Sequence, residues 1–159
     1  MWRCCHWRIG ITTVKSVGSP QFVPPGRCLV LKQPGALWVT SWPYPEYVRH
    51  AWAGAFVNAL FRKECEGLAS TMIRQACAAT RAIWPTIPSQ GMVSFIDPNQ
   101  VHARKVRSRL CIAHSYFEAG FTHVGYTKDG LWAMQLQPAN FPDAQLPCDD
   151  TPLLNASGV

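Results

Sequence analysis

The sequence predicts a mixed α/β protein, a central sheet crossed by helices, and three observations carry that expectation. Short apolar runs such as RCLVLK (27–32), ALWVTSW (36–42) and GMVSFIDP (91–98) have the length and composition of strands. Between them Leu68, Met72, Ile73, Ala76, Cys77, Thr80, Ile83 and Trp84 recur at three- and four-residue intervals, which marks an amphipathic helix. A second helix-like run, LCIAHSYFEAG (110–120), is followed by two strands around a Lys-Asp-Gly turn. Strands, helix, strand, helix and a terminal hairpin make an α/β pattern of the α+β mixed-sheet kind with crossover helices, and periodicity leaves the strand order open.

The elements follow in chain order. Residues 1–26 contain Gly18, Pro20, Pro24 and Pro25 and predict an irregular or partly stranded N-terminal arm. Gln33-Pro34-Gly35 turns the strand 27–32 into the strand 36–42 as a hairpin. PYPEYVRH (43–50) reads as a proline-interrupted loop or short helix, and AGAFVNALFRKE (53–64) as a central strand. Pro85 stops the helix that follows. The nearly continuous apolar run at 91–98 suits a buried strand. NQVHARKVRSR (99–109) reads as a basic loop, and Gly120 suits a left-handed cap on the second helix. The main domain is expected over 27–137, with a flexible tail over 138–159.

Composition narrows the class. A chain of 159 residues with 48% hydrophobic and 15% charged residues is expected to fold as one globular domain. The longest apolar stretch, AWAGAFVNALF, is too short to span a bilayer and contains Asn58. MWRCCHWRIG lacks the apolar core of a secretory signal. Seven cysteines without a CxxC pair suggest no disulfide framework, and so a soluble protein of a reducing cytoplasm. All fifteen lysines and arginines precede residue 130, whereas Asp143, Asp149 and Asp150 lie in the tail. That asymmetry favours an anionic partner, nucleic acid or a phosphorylated cofactor, over a basic surface kept for solubility.

Several stretches carry chemistry. RKECEGLAS (62–70) joins a strand to a helix, and a helix start presents unpaired N–H groups and the positive end of its dipole to a phosphate. Gly67 allows close backbone approach and Arg62 and Lys63 add charge, while Glu66 and Ser70 also suit an ordinary first turn. Tyr116 sits one turn before the Gly120-Phe121 break, where a phenol can protonate a departing thiolate or simply pack into the core. Asp97 ends a strand, as a base or as the initiator of an Asp-Pro turn. Arg104, Lys105, Arg107 and Arg109 form a cluster that neutralises phosphates or merely solvates a loop. Trp42 and Tyr44, in the same proline-stiffened stretch as Trp38 and Tyr47, offer stacking surfaces, Trp38 being assigned to the core. His50, His102 and His114 are candidate bases, and no spacing supports a preformed zinc site.

RKECEGLASTMIRQACAATR, MVSFIDP and CIAHSYFEAGFTHVGYTK together resemble the GNAT acyltransferase superfamily over about 27–137. The resemblance implies a central sheet with a splayed strand pair and an acetyl-CoA or related acyl-CoA donor. It implies that the donor's pyrophosphate rests on Glu66, Gly67, Leu68, Ala69 and Ser70, with Arg62 and Lys63 nearby, and that Tyr116 assists the leaving thiolate. The glycine-rich loop of that family appears here with Gly67 alone and Ala69 in place of the last glycine. FIDPNQVHARKVRSRLCIAHSYFEAGF is similar, more narrowly, to phage Mom-type DNA-modification proteins, GNAT-like proteins that modify the exocyclic amine of adenine in DNA. This implies a phage-encoded enzyme in the bacterial host cytoplasm, with Asp97 helping the amine, Tyr116 the leaving group, and DNA held by the basic cluster, Trp42 and Tyr44. It also brings iron as a second cofactor, with His50, Asp97 and Tyr116 as the set that would converge on it. Two alternatives keep the fold: an acetyl-CoA-dependent N-acetyltransferase of a small amine or protein, and a non-catalytic nucleic-acid-binding module.

Overall fold

A computed structural model describes residues 5–15, 23–100, 104–106 and 109–148; for 5, 6, 11–15, 104–106, 109 and 110 only the backbone path is described. Among these residues ten strands and two α-helices follow in order: β1 (Cys5–Lys15), β2 (Gly26–Gln33), β3 (Ala36–Pro43), β4 (Phe56–Lys63), α1 (Ala69–Ile83), β5 (Met92–Ile96), β6 (Arg104–Val106), β7 (Arg109–Cys111), α2 (His114–Glu118), β8 (Thr122–Tyr126), β9 (Trp132–Leu136) and β10 (Pro147–Cys148). Eight strands form one sheet in the order β10-β1-β2-β3-β4-β5-β9-β8, and β6 and β7 form a separate two-stranded ribbon. From β1 to β4 every neighbour is antiparallel. At the centre β4 and β5 run parallel, and α1 is the crossover such a pair requires. The mixed α/β class expected from the sequence is therefore what the chain adopts.

Alternation along the strands decides which face each residue serves. Trp38, Phe56 and Met92 are fully buried on the face covered by the helices, with Ile73, Ala76 and Cys77 of α1 against them. Trp42, Phe56 and Trp84 pack ring to ring at 4.9 to 5.7 Å, which sets the partly buried Trp42 against the core. Polar groups in this layer are paired, as burial demands. The Trp38 indole donates to Thr40 Oγ1 at 2.7 Å, which lies 3.1 Å from Thr80 Oγ1, and the Thr80 hydroxyl donates in turn to the Ala76 carbonyl.

One stated alternative holds and four expectations are corrected. The arm takes the partly stranded alternative: β1 pairs with β2 from Arg8 to Lys15, and Trp7 is fully buried with its indole donating to the Met72 carbonyl at 2.9 Å. The tail is not loose up to residue 148: Phe141 is buried against Phe56, Gln145 donates its backbone N–H to Ala78, and β10 adds to β1 in parallel. The basic loop contains the β6–β7 ribbon, and the second helix is only five residues long because Arg109–Cys111 is strand. Cys148 is disulfide-bonded, so the cysteines do not all remain thiols. No helix among the described residues is long and apolar enough to cross a membrane.

Candidate functional site

β4 and β5 pair only at Phe56–Met92, Val57–Val93 and Asn58–Ser94. Beyond that point β4 continues to Lys63 and β5 to Ile96 without further partners between them. The two central strands therefore form a fork that opens toward their C-terminal ends. A register slip helps to open it: Val39 faces Leu60 and Thr40 faces Asn58, so Ala59 is an extra residue in β4. Such a bulge bends its strand and re-aims the side chains after it. The fork holds a cleft of about 480 Å³ lined by Asn58, Ala59 and Leu60 of β4, Ser94 and Asp97 of the β5 side, and Tyr116.

Asn58 closes the floor. Its amide nitrogen donates to the Val39 and Leu60 carbonyls at 3.2 and 2.9 Å, which flank the bulge. Its amide oxygen accepts from the Ser94 hydroxyl at 3.1 Å and the Tyr116 hydroxyl at 2.7 Å. A buried Asn has two donors and two acceptor positions, and all four are used. One side chain thus ties β3, β4, β5 and α2 together at the point where the sheet divides.

The Tyr-x-x-x-Gly-Phe run explains how Tyr116 arrives there. Ala113, in a left-handed conformation (φ 61°), turns the chain out of β7, and its carbonyl accepts from the N–H groups of Tyr116 and Phe117. At the other end the Phe121 N–H donates to the Tyr116 carbonyl and the Gly120 N–H to that of Phe117, both at 3.0 Å, with Gly120 at φ 100°. This is a Schellman closure, and its usual apolar contact is present as the Tyr116–Phe121 ring pair at 5.3 Å. The spacing that drew attention in the sequence is the spacing this closure demands. Arg74 of α1 pins it by donating to the Ala119 carbonyl at 3.0 Å. Burial holds the Tyr116 phenol well above its ordinary value, so it stays protonated and is a hydrogen-bond donor rather than a base.

The α1 N-terminus lies at the same end of the sheet, because it follows β4 through a five-residue loop on the open side of the fork. Leu68, extended at the N-cap position, makes no side-chain cap bond, and Gly67 holds φ 108°. The backbone amides of Ala69 and Ser70 thus start a helix without a side-chain cap, a setting that suits an anion. The two cations expected beside it are otherwise engaged. Arg62 Nε donates to Glu64 Oε1 at 2.7 Å in an exposed ion pair, and Lys63 Nζ bonds the Cys65 carbonyl. Glu66 is exposed in the same loop. Ala69 and Ser70 offer backbone amides at this position, with the exposed Arg62–Glu64 pair and Lys63 in the same stretch.

Asp97 lines the cleft together with Tyr116, and its Oδ1 accepts the Asn99 N–H at 2.9 Å as a turn initiator. His114 also lines the cleft, 3.7 Å from Glu118 Oε1. His50 does not: it lines a second cavity with Trp52, Phe95 and Tyr126, and its ring lies 4.8 Å from Phe95. The trio His50, Asp97 and Tyr116 is thus split between two cavities. No cluster of three metal-ligating side chains occurs among the described residues, and this trio does not form one. Tyr44 is exposed and Trp42 lies against Arg27, 5.4 Å from guanidinium to ring. Arg104, Lys105 and Arg109 fall on the ribbon with side chains outside the described set, and His102 and Arg107 lie outside the described residues. The sequence reading missed Asn58 and Ser94; a lone amide inside an apolar strand was the available signal, since a buried polar group needs partners. No protein-family model, curated protein or solved structure matches the chain.

Proposed function

We propose that the chain is a GNAT-like acyltransferase that takes an acyl-CoA-type donor in the β4–β5 fork and acylates an exocyclic amine of adenine in DNA. One observation carries the reading: a parallel strand pair parts after Asn58–Ser94 beside an uncapped helix start, with a protonated phenol on the floor of the gap. A fork of this kind is where the superfamily resemblance expects the thioester arm. The strand order, with β5 flanked by β9 and then β8, agrees with a splayed central pair closed by a terminal hairpin.

In this reading backbone N–H groups of β4 after Asn58, released from β5, polarise the thioester carbonyl. The amine attacks that carbon, the acyl group passes to nitrogen, and the sulfur leaves as thiolate. Tyr116, neutral because it is buried, turns its hydroxyl to the departing thiolate and stabilises it as a hydrogen-bond donor. Asp97, at the mouth of the cleft, receives or relays the proton lost by the amine. An aromatic ring amine is a weak nucleophile, so positioning must supply much of the acceleration. The test is co-expression in bacteria followed by nucleoside mass spectrometry of the host DNA. The expected result is a new adenosine derivative that disappears with Tyr116→Phe. An unchanged nucleoside profile from cells holding folded protein would contradict DNA as the acceptor.

A further inference from the structure

We infer that the cavity on the face of the sheet opposite the helices is a binding site for a nucleobase that carries a phosphate. This cavity, about 910 Å³, meets the fork because Ala59 and Phe95 line both. Its walls are rings from three separate segments: Tyr47, His50 and Trp52 from the loop before β4, Phe95 from β5, and Tyr126 from the end of β8. The His50, Trp52 and Phe95 rings lie 4.8 to 6.1 Å apart and form one continuous aromatic surface. Tyr47 and Tyr126 stand at 42% and 63% exposure, open to stack on a planar ligand.

Polar groups set a base apart from an aliphatic ligand. The Ser41 hydroxyl, on a cavity-lining residue only 1% exposed, has no hydrogen-bond partner among the described residues. A buried hydroxyl left unpaired is costly unless a ligand completes it. His50 Nδ1 accepts the Trp52 N–H at 3.1 Å, which places the neutral ring's proton on Nε2 as a donor. A nucleobase edge offers both acceptors and donors to such groups. Arg49 and Lys128 bring positive charge to the lining against the single acid Asp129, as a phosphate requires. The space exceeds one base, leaving room for its sugar and phosphate.

The inference deepens the proposed function and rests on it only for the claim that the bound base is the acceptor. Binding itself is tested without any acyl donor, using fluorescence of 2-aminopurine, which stacking on aromatic rings quenches. One arm uses a single-stranded oligonucleotide with 2-aminopurine at one position, the other the free 2-aminopurine nucleoside 5′-monophosphate. Quenching of either probe by the full chain is expected, and the arm that saturates first tells an extruded base from a free nucleotide. Tyr126→Ala, at an exposed position, and Trp52→Ala should each weaken binding about tenfold. Ser41→Ala should weaken it several-fold while leaving thermal stability unchanged or raised, because no protein partner is lost. Absence of quenching in both arms, or quenching that Tyr126→Ala and Ser41→Ala leave intact in folded protein, overturns the inference. Base binding without CoA binding would sink the acyltransferase reading and leave this site standing.

Discussion

At the scale of single residues, Tyr116 and Asn58 hold the chemistry. The phenol is neutral because burial disfavours its charge, and its proton is directed at an amide oxygen that has no capacity to take it. The sign of the consequence is fixed. A phenol whose folded value lies above the ordinary one of about 10 contributes stability that is fully present below pH 10 and lost as pH rises further. The Cys77 thiol, pushed up to about 12 by burial, adds the same trend from about pH 9. Tyr116→Phe should therefore cost about 1 kcal/mol at pH 8 through the lost bond to Asn58, and it should flatten the decline above pH 10 while leaving the Cys77 part in place. Urea unfolding at pH 8, 9.5 and 10.5 measures both; parallel pH curves for the two proteins would contradict the buried phenol.

At the scale of elements, the fork depends on an amide that serves four partners. Asn58→Asp keeps the size and the two acceptors but loses both donors, and it sets a carboxylate against the Val39 and Leu60 carbonyls. We expect a loss of about 3 kcal/mol or more in urea unfolding, with any CoA binding lost in parallel; a wild-type midpoint would show that the network does not hold the fork. The same element shows what the sequence made legible. Tyr116, Gly120 and Phe121 could be picked out because a helix closure is local, and all its partners lie within six residues. α1 was readable from its three- and four-residue periodicity, and the central strands from short apolar runs. β1 was obscured by the glycine and prolines after it, although Trp7, Ile9 and Ile11 alternate. β10 has two residues, too few for any pattern, and owes its existence to the edge of β1. Charge disguised the β6–β7 ribbon as a loop. Asn58, Ser94 and Tyr116 meet across 58 and 36 positions of chain, and the aromatic cavity gathers rings from residues 47 to 126. Proximity of that kind is set by sheet order, which periodicity left open.

At the scale of the whole molecule, two cavities approach the fork from opposite faces of one sheet and share Ala59 and Phe95. A donor on the helical face and an acceptor on the other would meet only there. The central claim, that the fork receives a CoA-type arm, is tested most directly by calorimetric titration of CoA into the wild-type chain and into Ala59→Trp. Ala59 is exposed and unpaired at the bulge, so an indole there fills the gap with little cost to folding. The account predicts saturable binding by the wild-type chain and none by the equally folded variant. Absence of binding by the wild-type chain, or equal binding by both, would contradict it.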